Sequence, residues 1–437
     1  MEIQTMNISR KYLGDVFTIF VLALATGAFQ SLVVDTSTAQ AVNEGNPLLQ
    51  IMWALVYAVV LIRAIGNFRA IAAAVRANKF LLALVLLAIV SVFWSEEPGL
   101  TLRRSGALLA TTLFGLDFAV RYSIRKQLQL VAIALSAVVA LSVVVQVFFA
   151  GLVPVVDKAY PNAWVGLFDQ KNVFARVIVL TAIVVFASVR RSMGGILTAA
   201  FTFLAATALI ILTQSITAVV ALVGLILILQ FAPALRWTGR VRTLIGFSAA
   251  VMVAPAIFLL IHYWALILNL LGRNGTLTGR AQLWAISVSS IELKPILGYG
   301  YSAFWMVSAE ALRINAVLRW TVPHAHNAYI DLALELGLVG LVLYVAAYIV
   351  ALWRAVGYMR TDPEPGAKWP LVYFCFILLY SLTESSVLVP GSIFWMLFVA
   401  AACTVAQPVG ALAFESADEH APETDPGRDP GPSFATS

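Results

Sequence analysis

Residues 128–150 read LQLVAIALSAVVALSVVVQVFFA, a stretch without one acidic or basic side chain. As an α-helix it is about 35 Å long, enough to cross the roughly 30 Å hydrocarbon core of a bilayer. Arg121, Arg125 and Lys126 stand just before it, as cations do at the cytoplasmic end of a span. Working outward, eleven further apolar runs fall near 12–34, 47–66, 80–95, 105–120, 173–189, 194–213, 215–233, 243–263, 327–353, 370–388 and 391–408. Across the 437 residues, 61% belong to the set AVILMFWYC and 11% are charged, against about 25% charged in soluble domains. A soluble enzyme of this length needs far more polar surface, and a disordered or collagen-like chain is excluded with it. The first run is too long for a signal-peptide core and carries Asp15, so it reads as a retained span. The expectation is an all-α polytopic membrane protein with about 12 transmembrane helices.

Charge gives an orientation. With the N-terminus in the cytoplasm, the inside loops collect Arg63, Arg69, Arg76, Lys79, Arg190, Arg191, Arg236, Arg240, Arg242 and Arg354, while the outside loop 35–46 holds Asp35 and Glu44 without a cation. Both termini are then cytoplasmic, and the net charge of +6 belongs to the membrane rather than to nucleic acid. The domain reading is one membrane unit, 1–408, with a large periplasmic loop at 264–326, followed by an acidic, Pro- and Gly-rich tail at 409–437 with the composition of disorder. Cys375 and Cys403 lie in apolar runs and form no metal knuckle or disulfide framework.

Ionisable groups in or beside spans are costly, so each is a functional candidate. Asp15 and Asp117 lie close to span ends, where snorkelling accounts for them. The rest gather on the outer half: Lys171, Asn172 and Arg176 at the mouth of the sixth span, Arg280 in the large loop, His324, His326, Asn327, Asp331 and Glu335 opening the tenth, and Glu384 about a turn below the outer end of the eleventh. Thr278–Leu293 reads as a short helix capped by Thr278 and ended by Pro295, with Trp284, Val288 and Ile291 as an apolar stripe for the membrane surface. Arg280 in its first turn opposes the helix dipole, which points to a ligand; a lipid-headgroup contact is the plainer alternative. His324 and His326, at i and i+2, share no helical face and have no third ligand type beside them, so a zinc site is not expected. His326 is either a proton acceptor, histidine titrating nearest neutrality, or an interfacial structural residue.

His326-Asn327, nine residues, Gly337, two residues, Gly340 resembles the signature of the O-antigen ligase and polysaccharide polymerase superfamily. Gly279-Arg280-Ala281-Gln282-Leu283-Trp284, followed by Pro295-Ile296-Leu297-Gly298-Tyr299-Gly300, is similar to that superfamily's large periplasmic loop. Gly166-Leu167-Phe168-Asp169-Gln170-Lys171-Asn172 and Thr383-Glu384-Ser385-Ser386 resemble the exopolysaccharide polymerases of the succinoglycan type. The resemblance spans about 160 to 400. It departs at Ser215-Ile216-Thr217, where the superfamily often carries a cation between Ser and Thr; Lys171 or Arg176 is the candidate replacement.

The resemblance implies a GT-C-like membrane glycosyltransferase that uses no metal and no cofactor. Its donor would be an oligosaccharide on a polyprenyl (undecaprenyl) diphosphate at the periplasmic face of the bacterial inner membrane. Arg280 and His326 would be catalytic, with Lys171, Asn172, Arg176, Asn327, Glu335 and Glu384 binding diphosphate or glycan. A chain-length co-polymerase and a flippase are the implied protein partners. Arginine suits the diphosphate, since it binds phosphate bidentately and keeps its charge. Lys171-Asn172 and Thr383–Ser386 favour a repeat-unit polymerase in exopolysaccharide biosynthesis. The rivals are a ligase that attaches a glycan to a lipid acceptor and, from another class, a secondary transporter, which would place its charges near the midplane on repeated, broken helices.

Overall fold

The computed structural model describes residues 2–30, 47–149, 151, 160–189, 192–232, 236 and 280–407. Among them every regular element is helical. The longer helices are α1 (Glu2–Leu24), α2 (Pro47–Gly66), α3 (Phe68–Ala77), α4 (Lys79–Val90), α5 (Pro98–Arg121), α6 (Ile124–Phe148), α7 (Lys171–Ser188), α8 (Met193–Thr213) and α9 (Ile216–Phe231). After residue 279 come α10 (Arg280–Leu293), α11 (Phe304–Val307), α12 (Ala309–Leu318), α13 (Ala328–Thr361), α14 (Trp369–Ser381) and α15 (Ile393–Thr404). Five of these, α2, α6, α7, α8 and α13, are long and apolar enough to cross a membrane, and a sixth span arises if α3 and α4 count as one bent pair. Eleven of the twelve apolar runs fall on helices; the run at 243–263, like Thr278, residues 264–279 and the tail 409–437, lies outside the described residues. The protein is thus a polytopic helical membrane protein.

The hydrophobicity of each helix decides its place. Helix α15 (IFWMLFVAAACT) is apolar all round and buried on every face, as a helix without a polar side must be. It lies along α5, whose Gly115 allows the contact: a Cβ there would come within 2.8 Å of the Met396 carbonyl oxygen. By contrast α8 is as apolar but mostly exposed, with Phe201, Leu204 and Ile211 turned outward, a surface fit for lipid.

Two expectations change here. Asp15 and Asp117 do not snorkel. Asp117 is buried and holds Arg63 at 2.9 Å and Arg121 at 3.0 Å, and Lys126 closes on Asp15 at 2.7 Å. These ion pairs tie α2 to α5 and α1 to α6, since a buried carboxylate needs a partner. The eleventh run also ends as a helix earlier than its hydropathy, at Ser381, because the amides of Thr383 and Glu384 both return to the Tyr380 carbonyl. Glu384 therefore sits in a turn beyond the helix.

Helix α13 is broken within its first turns. Gly337 stands at φ 65°, ψ −168°, a conformation essentially confined to glycine. Into the break goes Pro295–Gly300. The amides of Tyr299 and Gly300 donate to the carbonyls of Leu334 and Glu335, and those of Leu338 and Val339 donate to Pro295 and Ile296. Four backbone groups of α13 at the break are thereby paired, as a non-helical backbone near lipid requires. The inserted segment is held from its other side as well, by Trp94 on the Leu297 carbonyl and Ser91 on the Tyr301 amide.

Helices α10, α11 and α12 form a small second core with the start of α13, around Leu283, Phe304, Trp305, Ile314 and Val322. The face of α10 differs from the expected stripe. Leu283, Ser287 and Ser290 turn inward; Trp284 and Ile291 flank them and pack on the same core, leaving Val288 exposed. Two serines on the inner line allow the close approach that larger side chains would prevent.

Candidate active site

Three segments far apart in sequence meet at the start of α13: the beginning of α10, the loop 324–327 and the turn 383–386. Arg280 lays its guanidinium across the turn, Nη1 donating to the Thr383 carbonyl at 2.7 Å and Nη2 to Glu384 Oε1 at 3.3 Å. The other oxygen of Glu384 lies 3.5 Å from His326 Nδ1, and that nitrogen is also 3.5 Å from Arg280 Nη2. A carboxylate on one ring nitrogen fixes the orientation of an imidazole and leaves Nε2 as the proton acceptor, which is the arrangement of a general base. Burial draws the Glu384 carboxyl upward, but the hydrogen bond from His326 and the nearby His326, Arg280 and Arg176 outweigh it and hold the group at about 2. Glu384 is thus an anion at any working pH.

The loop that carries the histidines is set by Asp331. Its Oδ1 accepts from the Trp305 indole at 2.6 Å and the Ala325 amide at 2.8 Å, and its Oδ2 from the Ser385 hydroxyl. Trp284 adds a hydrogen bond to the Ala325 carbonyl. With Ala325 clamped from both sides, His326 takes φ 53°, a left-handed conformation uncommon outside glycine that histidine, like asparagine and aspartate, adopts more readily than other residues. That turn corrects the expectation that the two histidines point apart. Their ring centroids are 4.2 Å from each other, and His324 Nδ1 accepts from the His326 amide at 3.1 Å with Ser385 Oγ at 3.2 Å. Burial first, and then the adjacent His326, push the His324 imidazole down to about 3, so it is neutral and supports its neighbour through an acceptor nitrogen.

The absence of a third ligand type is corrected too. His324, His326 and Glu384 offer ligand atoms within 4.8 Å of one another, the fold bringing in the glutamate from α14's end. The Arg280 guanidinium already lies against Glu384 and His326, and a divalent cation entering there would face that fixed positive charge.

Arg176 joins this cluster from α7. It is 8% exposed, stacks 4.0 Å over the Phe394 ring, and leaves Nε and Nη1 without a hydrogen bond among the described residues. Lys171, a turn and a half earlier, lies over the Tyr160 ring. Asn172 accepts from Ser215 at 3.0 Å, fastening α7 to the start of α9, where Ile216 replaces the expected cation. Asn327 is the N-cap of α13, its side chain accepting from the Tyr329 and Ile330 amides. Glu335 accepts from the Ser302 amide and so braces the inserted segment. The sequence reading marked Asp331 only as one of the charges at the mouth of the tenth span, and Ser385 and Asp169 only as motif members, without a binding or catalytic role. Burial raises the Asp169 carboxyl, with Arg176 and Glu384 both close enough to act on it. Only its place in the Lys171 motif marked it.

Comparison with known proteins now bears on these residues. The O-antigen ligase family matches residues 177–345, a range that holds Arg280, both histidines and Gly337. The chain is 26% identical over 430 residues to the "Exopolysaccharide production protein ExoQ" of Rhizobium meliloti (strain 1021), covering 93% of this chain and 92% of that one. The motif resemblance holds. A "Putative polysaccharide ligase" of Rickettsia felis (strain ATCC VR-1525 / URRWXCal2) is 30% identical over 105 residues, 23% of this chain and 25% of its own. Lys171 and Arg176 lie just before the family match and Glu384 beyond it, so part of the cluster is built from chain outside the matched range.

Proposed function

We propose that this protein is a polysaccharide polymerase that joins oligosaccharide repeat units carried on polyprenyl diphosphate. It would work at the periplasmic face of the inner membrane, with both termini in the cytoplasm, in exopolysaccharide biosynthesis. Similarity to an exopolysaccharide production protein over nearly the whole chain, and to the O-antigen ligase family, supports a polymerase- or ligase-type transferase. The observation that carries the finer reading is the contact of Arg280, Glu384 and His326: a phosphate-holding cation and an oriented base in one cluster. Arg280 and Arg176 take the diphosphate. An acceptor hydroxyl gives its proton to His326 Nε2 as its oxygen bonds to the anomeric carbon, and the bond from that carbon to the diphosphate breaks with its electron pair on the leaving oxygen. With two guanidiniums on the leaving group, no metal is required. A flippase would deliver the lipid-linked units and a co-polymerase would set chain length.

The family description favours a second reading, ligation of a finished glycan to a lipid acceptor. A deletion strain separates them. Polymerase loss leaves single lipid-linked repeat units and no long exopolysaccharide; normal polymer with an uncapped lipid acceptor establishes the ligase.

A further inference from the structure

At the end of the helices away from this site lies a cavity of about 360 Å³, between the α3–α4 corner, α13 and α15. From Leu338, just past the break, to Arg354 the α13 axis runs roughly 24 Å, so the two places do not touch. The lining includes three cations, Arg76, Lys79 and Arg354, and no acidic residue, over a wall of Phe80, Val350 and Phe398. The corner fixes its depth. α3 carries Arg69 and Arg76 among Phe68, Ile71 and Val75, the composition of a helix lying in the headgroup plane. At Asn78 the chain then turns by 98° into the apolar α4. Asn78 is committed elsewhere: Nδ2 donates to the Ala74 carbonyl and Cys403 Sγ, and Oδ1 accepts from Arg354. It makes no side-chain cap for α4, so the first amides of that helix add to the positive field of the cavity.

We propose that this cavity binds the phosphate of an anionic glycerophospholipid, its acyl chain lying along the apolar wall. The pairing of a cationic rim with that wall selects the source. A soluble phosphate would satisfy Arg76, Lys79 and Arg354 and leave Phe80 and Val350 uncovered, whereas a lipid covers both cations and wall, as basic pockets between membrane helices do.

The test uses the purified full chain in neutral detergent, with the thermal unfolding midpoint read during titration with dioleoylphosphatidylglycerol, dioleoylphosphatidylcholine or inorganic phosphate. Arg354→Gln is a poor probe, since Arg354 also holds the Ala77 carbonyl at 2.9 Å. The pair Arg76→Gln and Lys79→Gln removes two exposed charges and keeps that packing. Phosphatidylglycerol raises the wild-type midpoint, phosphatidylcholine and phosphate do not, and the double variant needs roughly 30-fold more phosphatidylglycerol for half the effect. Arg360→Gln, an exposed cation on the same helix outside the cavity, behaves as wild type. An equal response to phosphatidylcholine, an unaltered response in the double variant, or a matching shift with inorganic phosphate overturns the proposal, the last in favour of a soluble anion.

Discussion

Replacing Gly337 by alanine tests the broken helix directly. A Cβ at this position would stand 2.1 Å from the Ile296 carbonyl oxygen, 2.3 Å from its carbon and 2.5 Å from the Leu297 nitrogen. All three are backbone atoms, so no side chain can rotate aside. The φ of 65° with an extended ψ costs a non-glycine residue about 1–3 kcal/mol before any clash. Relieving the clash means moving Pro295–Gly300, which forfeits one or two of its four hydrogen bonds to α13 at about 0.5–1.5 kcal/mol each. The sum is about 2–6 kcal/mol of local stability. Hydrogen exchange at the Leu338 and Val339 amides, which donate across the break, reports it. Two kcal/mol raises the open population by about 30-fold. Gly357→Ala in the same helix meets nothing within 4 Å and is neutral or slightly stabilising, as alanine for glycine is in a helix. If both variants protect Leu338 and Val339 equally, the inserted segment does not plug the break.

Arg280→Lys loses most activity and weakens donor binding, because one ammonium cannot serve the Thr383 carbonyl and Glu384 as the planar fork does; full activity would move the diphosphate anchor to Arg176 or Lys171. His326→Ala lowers turnover about 10²–10⁴-fold with donor binding nearly intact, and His324→Ala produces a smaller but clear loss through the His326 amide it supports; the reverse order would show the base misassigned. Turnover of the purified protein survives EDTA, and rescue by Mg²⁺ or Mn²⁺ after its loss would put a metal on His324, His326 and Glu384. Stability falls with acid in two steps. His324 goes from its usual 6.5 down to about 3 in the fold, so only the unfolded chain takes up its proton between those values, and stability declines as pH drops below 6.5. Glu384, lowered from 4.5 to about 2, adds its own loss only below 4.5. The thermal midpoint of wild type therefore declines between pH 6.5 and 4.5, and His324→Asn flattens that interval while leaving the steeper fall beneath it.

The helices were legible because each apolar run is a one-dimensional signal, and a span such as 128–150 needs no partner to be read. The site was legible in its members but not in its wiring. Arg280, His326 and Glu384 stand out as charges where charges are costly, yet Asp331 and Ser385 are 54 positions apart and nothing local marks their hydrogen bond. The proximity of the histidines depends on one left-handed residue at 326, a backbone choice made by the Asp331 clamp. The inward line of α10 was missed for the same reason: two serines outrank a tryptophan there because of what they must pack against. Gly337 is visible in the sequence only as a member of the signature; that it admits an extended segment into a broken helix depends on Pro295–Gly300, some forty positions earlier.

Arg176 has a consequence for the protein as a whole. A guanidinium 8% exposed, with Nε and Nη1 unbonded among the described residues, is desolvated without full compensation. On the proposed function, the diphosphate donor that bonds to these nitrogens stabilises the native state by mass action. Donor occupancy and resistance to unfolding would then be one equilibrium, and a melting curve taken with the donor doubles as a binding curve.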